Sequence, residues 1–109
     1  MARYVFTVFS NATVGQEQEY NRWYNEQHVP DVLKVPGFVA AERFKLAQSD
    51  PNAPAPYLAI YEIESNDVQK TLAQLNERAN TPAMQLSPAL DLTSVKTFLY
   101  ESVAPLKRK

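Results

Sequence analysis

His28 is the only imidazole in a chain of 109 residues, and it stands among groups that could orient it. Tyr24 lies four residues before it, Trp23 five before, Asp31 three after, and Pro30 follows two residues on. An unperturbed imidazole titrates near ~6.5, so His28 is the one side chain suited to proton transfer close to neutral pH. Residues three or four apart share a helix face, which puts Tyr24 and Asp31 within reach to orient the ring or relay a proton. Carbonyls left without an amide partner by Pro30, together with the helix dipole, favour the protonated ring. Burial among aromatic rings favours the neutral one. The sequence leaves that balance open. The same residues also describe a half-buried histidine bonded to a backbone carbonyl, with Tyr20, Trp23 and Tyr24 as core. Glu17, Glu19 and Glu26 read as a solvated helix face, and Glu62 and Glu64 project together from one side of a strand end.

Other chemistries are narrowed by what the chain lacks. Without cysteine there is no disulfide, thiolate nucleophile, iron–sulfur cluster or cysteine-zinc site, and one histidine cannot supply the imidazoles of a usual catalytic zinc. Gly15 and Gly37 are the only glycines, too few for a phosphate loop, and no nucleophile-elbow pattern surrounds a serine. The expectation is no metal and no cofactor. A formal charge of −1, with 21% charged and 45% hydrophobic residues, offers no electrostatic footprint for nucleic acid or an anionic membrane. Lys107-Arg108-Lys109 is a short solvated tail. The opening "MARYVFTVFSNATVG" reads as a strand rather than a signal peptide, and no apolar run reaches the ~20 residues of a membrane span. These features are compatible with the cytoplasm.

The elements that must position His28 follow from periodicity. "RYVFTVFS" (Arg3–Ser10) is β-branched and aromatic, a strand. The segment from Thr13 carries Tyr20, Trp23, Tyr24, Gln27 and His28 on one broad helical arc. Pro30 should end or kink that helix at His28–Val29 and open a short second one, Asp31–Val35, stopped by Pro36-Gly37. "GFVAAERFKLAQ" and "YLAIYEIE" (Tyr57–Glu64) are further strands, separated by the proline-rich "SDPNAPAPY". Asn66 and Gln69 form a capping-box pattern before a helix whose Val68, Leu72, Leu75 and Ala79 read as core, ended by Thr81-Pro82. "TSVKTFLYESV" (Thr93–Val103) is the fourth strand. The order β-α-β-β-α-β in one domain, residues 1–109, predicts an α+β ferredoxin-like sheet with four antiparallel strands and both helices on one face. Tyr4, Phe6 and Val8 oppose Val5 and Phe9, while Tyr57, Ala59, Tyr61 and Ile63 oppose Leu58 and Ile60. Both sheet faces are therefore apolar. Two helices cover only one, and a second copy of the sheet is the simplest cover for the other.

The run Trp23-Tyr24-Asn25-Glu26-Gln27-His28-Val29-Pro30-Asp31, then Val35-Pro36-Gly37-Phe38 and Arg43-Phe44, resembles the small EthD-type proteins. These are named for ethyl tert-butyl ether degradation and belong to the dimeric α/β-barrel superfamily. The specific motif spans about Tyr20–Phe44, while the element order covers nearly the whole chain. The resemblance implies a homodimer whose two sheets form a barrel, with a small-molecule cavity in each subunit. Relatives include cyclases, decarboxylases, dehydratases, cofactor-free monooxygenases and haem-binding enzymes. In several, a histidine on or after the first helix lines the cavity, and His28 matches that position.

The leading expectation is a homodimer that binds a small apolar, oxygenated or aromatic molecule and promotes cofactor-free lyase-, isomerase- or dehydratase-type proton transfer. His28 would be the acid–base, Tyr24 and Asp31 would orient it, Trp23 and Tyr61 would line the cavity, and Arg43 would receive a developing oxyanion. The competing expectation is a non-catalytic ligand-binding protein of the same fold. A third is a haem-binding or monooxygenase relative, with His28 as axial ligand. An enclosed polar pocket touching His28 favours catalysis; a filled interior favours binding.

Overall fold

The computed structural model describes residues 1–109. Strand β1 (Ala2–Ala12) lies inside a four-stranded sheet of order β2-β3-β1-β4, with β2 at Phe38–Lys45, β3 at Tyr57–Ser65 and β4 at Leu90–Glu101. Every neighbouring pair is antiparallel. Between the strands run a helical segment, α1 (Glu17–Trp23) to α2 (Val29–Val32), and helix α3 (Val68–Arg78). This is the ferredoxin-like β-α-β-β-α-β arrangement expected from the pattern. No helix is long and apolar enough to cross a membrane.

Residues that alternate along β3 explain which face the helices take. Tyr57, Ala59, Tyr61 and Ile63 are buried with Tyr20, Trp23, Tyr24 and Val32 of the helical segment and with Phe38 of β2. Tyr4, Phe6 and Val8 of β1 pack against the same cluster. The loop after α3 adds Met84 and Ala89, which sequence periodicity had no means to place in the core.

The opposite sheet face has no helix. Register puts Val5 beside Glu62 and Tyr100, Thr7 beside Ile60 and Phe98, and Phe9 beside Leu58 and Lys96. Glu42 and Phe44 of β2 complete the rows of Ile60 and Leu58. Phe44, Phe98 and Tyr100 remain 42%, 47% and 60% exposed, so this face is apolar and open in a single chain. An apolar cleft of 330 Å³ lies on it beneath the β2–β3 loop, between Phe9, Phe44, Leu58, Ile60 and Pro54.

Several boundaries differ from expectation. The first helix does not end at His28–Val29. It widens into a π turn, Tyr24–His28, in which the Val29 N–H bonds to the Tyr24 carbonyl, and then continues as α2. The wider turn accommodates Pro30, which would otherwise crowd the carbonyl four residues back. The second helical stretch accordingly covers Val29–Val32, not Asp31–Val35. At α3 the cap is Asp67 rather than Asn66, its Oδ1 accepting the Lys70 N–H at 3.1 Å. The Ser65 hydroxyl accepts the Asp67 N–H at 3.0 Å and fixes the chain one residue further on. Ala79 is exposed, and Thr71 is the buried residue of α3. Strand β4 begins at Leu90 and ends at Glu101, earlier at both ends than Thr93–Val103. Strand β2 is shorter than its apolar pattern.

Thr71 is buried because it meets Gly37. Gly37 has φ +98°, and a Cβ there would lie 3.0 Å from Thr71 Cγ2 and 3.1 Å from its Oγ1. Gly37→Ala is expected to destabilise the protein by about 1–3 kcal/mol through backbone strain and this contact. Urea unfolding measures it, and an unchanged midpoint would show that the turn before β2 relaxes freely.

Candidate functional site

The π turn decides how the aromatic residues meet the imidazole. Residues five apart lie about 140° around an α-helix, on different faces. In the wider turn Trp23 and His28 instead stack, with ring centroids 4.7 Å apart and planes 23° from parallel. Tyr24 meets His28 edge-on at 5.1 Å. Trp23 and Tyr24 are nearly fully buried, and the Trp23 Nε1–H donates to the Gln85 carbonyl at 3.2 Å. His28 is thus held in an aromatic enclosure.

Its protonation follows from that enclosure. Burial lowers the His28 pKa to about 4, the Asp31 carboxylate opposes this, and Arg43 adds to the depression. Burial wins the competition that the sequence left open, and His28 is neutral at pH 7. Asp31 forms an ion pair with Lys34 at 3.8 Å and acts on the imidazole through its field. Two buried polar atoms, His28 Nδ1 and the Tyr61 hydroxyl, have no hydrogen-bond partner. Burial raises the Tyr24 pKa to about 12 and pushes Tyr61 well above the ordinary tyrosine range, so both phenols stay protonated.

Arg43 lies on the helix-facing side of β2, beside Ala59 in register. Its guanidinium sits 4.2 Å from the centre of the Tyr24 ring, with Tyr20 and Tyr57 at 5.4 and 5.6 Å. Nη1 donates to Asn25 Oδ1 at 2.8 Å and Nη2 to Asn21 Oδ1 at 2.9 Å. Asn21 in turn donates to the Tyr57 hydroxyl at 3.3 Å. A polar cleft of 360 Å³ opens here between α1 and β2, bounded by Glu17, Asn21, Asn25, Arg43, Lys45 and Tyr57. A second cleft, 370 Å³, continues past Asn25 and Arg43 to Val29, Ala41 and Glu42.

The six residues singled out from sequence therefore divide. Trp23, Tyr24 and His28 form one contact group, and Arg43 joins it through the Tyr24 ring. Tyr61 lies next to Tyr24 and meets Phe38 edge-on at 5.9 Å. Asp31 stands beside it without a hydrogen bond to the ring. None of the five main clefts is lined by His28, Trp23 or Tyr61. Asn21 and Asn25, which no motif marked, are the residues that fix Arg43. Their spacing of four from Glu17 puts all three on one helix stripe, a signal that was available but reads as solvated surface.

A family model described as "Domain of unknown function (DUF4286)" matches residues 3–101. The chain belongs to this family. No curated protein matches the DUF4286 chain. Solved structures do. The haem degrader MhuD of Mycobacterium tuberculosis, with two haems in its active site, aligns over 95% of this chain and 99% of its own at 14% identity and TM-score 0.64. A NIPSNAP-like domain protein of Burkholderia xenovorans aligns over 95% and 90% at 12% identity and TM-score 0.60. An EthD family protein of Bacillus halodurans aligns over 94% and 100% at 13% identity and TM-score 0.57. At these identities the likeness is one of fold alone, and it agrees with the ferredoxin-like arrangement of the DUF4286 chain.

Proposed function

We propose that the protein is a small-ligand-binding member of the dimeric α/β-barrel superfamily, taking a mostly apolar, oxygenated or aromatic compound into the cleft between α1 and β2. The observation that carries this reading is Arg43, held by Asn21 and Asn25 over three tyrosine rings at the floor of a 360 Å³ cleft. Clefts of this size with a few fixed polar groups suit small molecules. The filled surroundings of His28 favour binding over catalysis. The motif Trp23–Asp31 supports kinship with EthD-type proteins, and the absence of cysteine suits a role in cytoplasmic small-molecule metabolism. Thermal shift against a panel of phenolic and keto compounds tests the reading. At least one should raise Tm, with the shift reduced in Asn21→Ala; a panel without effect would remove the cleft as a ligand site.

Acid–base chemistry is the second reading, favoured by the unpartnered His28 Nδ1 and Tyr61 hydroxyl beside neutral His28. In it His28 takes up a proton from the ligand, Tyr24 and Asp31 hold the ring, and Arg43 steadies the negative charge left behind. His28→Ala would then abolish turnover and spare ligand binding. Haem does not fit these residues. An axial imidazole must face an open slot, whereas His28 stacks on Trp23 and lines none of the main clefts.

The functional unit in this proposal is a homodimer closed through the open sheet face, because Val5, Phe9, Leu58, Ile60 and Phe98 would otherwise face water. Light scattering at micromolar concentration should give about twice the 12.4 kDa chain mass. Phe98→Glu should shift it to the monomer, and a wild-type monomer would sink the dimer.

A further inference from the structure

Arg43 is a half-buried cation that no carboxylate neutralises. The ion pairs of the chain join Arg22 to Glu19 and Glu26, and Lys34 to Asp31. A guanidinium drawn out of water is ordinarily paired with an anion. Here its charge rests on the faces of Tyr24, Tyr20 and Tyr57, and two amide oxygens accept its outer N–H groups. Neutral acceptors and ring faces hold the fork in place without cancelling its charge. Lys45 enters the same cleft from the next helix-facing position of β2, its Nζ 5.9 Å from the Tyr57 ring centre. Two cations thus face one space that also contains Glu17, leaving an excess of positive charge. Tyr57 supplies a flat apolar wall beside them.

We propose that this cleft binds the carboxylate of a small organic acid, with Arg43 and Lys45 on the anion and the acid's flat apolar part against Tyr57. The inference rests on the small-ligand reading above and deepens it by fixing the ligand's charge. A planar carboxylate matches the geometry of an arginine fork, and a pre-set guanidinium needs little reordering to accept it.

Benzoate and its neutral isostere benzamide test it on the intact protein, titrated into ¹⁵N-labelled samples while side-chain amide signals of Asn21 and Asn25 are followed. Benzoate should give saturable shifts of these signals, and benzamide should bind about tenfold more weakly or worse. Arg43→Gln, checked by circular dichroism for folding, should weaken benzoate by a similar factor. Lys45→Gln should weaken it less, and added salt should weaken it further. Equal binding of benzamide and benzoate would overturn the carboxylate and leave the small-ligand reading standing. No saturable benzoate shift, or full affinity in folded Arg43→Gln, would overturn it as well. Since the benzamide comparison uses the wild-type chain, a variant that fails to fold does not block the decision.

Discussion

Trp23→Ala is expected to lower the stability of the protein by about 3–5 kcal/mol, the range for removing a large aromatic residue from a packed core. Trp23 is 2% exposed, stacks on His28, meets Tyr24 at 5.3 Å and donates to the Gln85 carbonyl. Its removal empties the place where the helical segment and the loop after α3 meet. Trp23→Phe keeps most of the ring contact but loses the N–H, and its loss should be clearly smaller. Urea unfolding of both variants measures the difference. A loss below about 1 kcal/mol for Trp23→Ala would show that the site collapses onto itself and that the aromatic enclosure is not a stable feature.

Acid should destabilise the native state through His28. The imidazole is held at about 4 in the folded chain and returns to its ordinary 6.5 on unfolding. Between these values the unfolded chain carries a proton that the folded chain refuses, so stability falls as pH falls from 6.5 to 4. Above 6.5 the contribution is fully present, and below 4 it is fully lost. The difference corresponds to on the order of 3 kcal/mol. Glu19, its carboxyl held low by Arg22, acts in the same direction only at still lower pH, from its ordinary 4.5 downward. Unfolding free energies at pH 7.5 and pH 4.5 should therefore differ strongly in the wild type and much less in His28→Gln. Identical pH dependence in the two proteins would mean that His28 is solvated and titrates normally.

The fold was legible because strands with two apolar faces leave a period-two record that neither turns nor helices disturb. Tyr57, Ala59, Tyr61 and Ile63 could be assigned to one face and Leu58 and Ile60 to the other from their spacing alone. Met84 and Ala89 were not, because a loop has no period and its burial depends on what it lies against. The site was legible in part. Clustering of Trp23, Tyr24 and His28 was visible, but their mutual stacking depends on the π turn. A proline rule that considers only the bond four residues back forecasts an end and misses a widening. The cluster's distance from the main clefts, and the role of Asn21 and Asn25 in holding Arg43, depend on tertiary packing between α1 and β2.

The π turn also leaves a trace in the numbering of the core. Buried Val32 follows buried Tyr20 by twelve positions (32 − 20) and Tyr24 by eight (32 − 24). Three and two turns of a regular α-helix take about eleven and seven. The segment therefore carries one residue more than an α-helix needs to seat the same side chains. A chain shortened by one residue between Tyr24 and His28 could still place Tyr20, Tyr24 and its shifted valine on the sheet. It would do so as an ordinary helix, with the imidazole four residues from the tryptophan instead of five and on the same helix stripe. The extra residue is what the wider turn absorbs: with His28 five positions after Trp23, the π turn lets both rings and the later valine reach the same side of the segment.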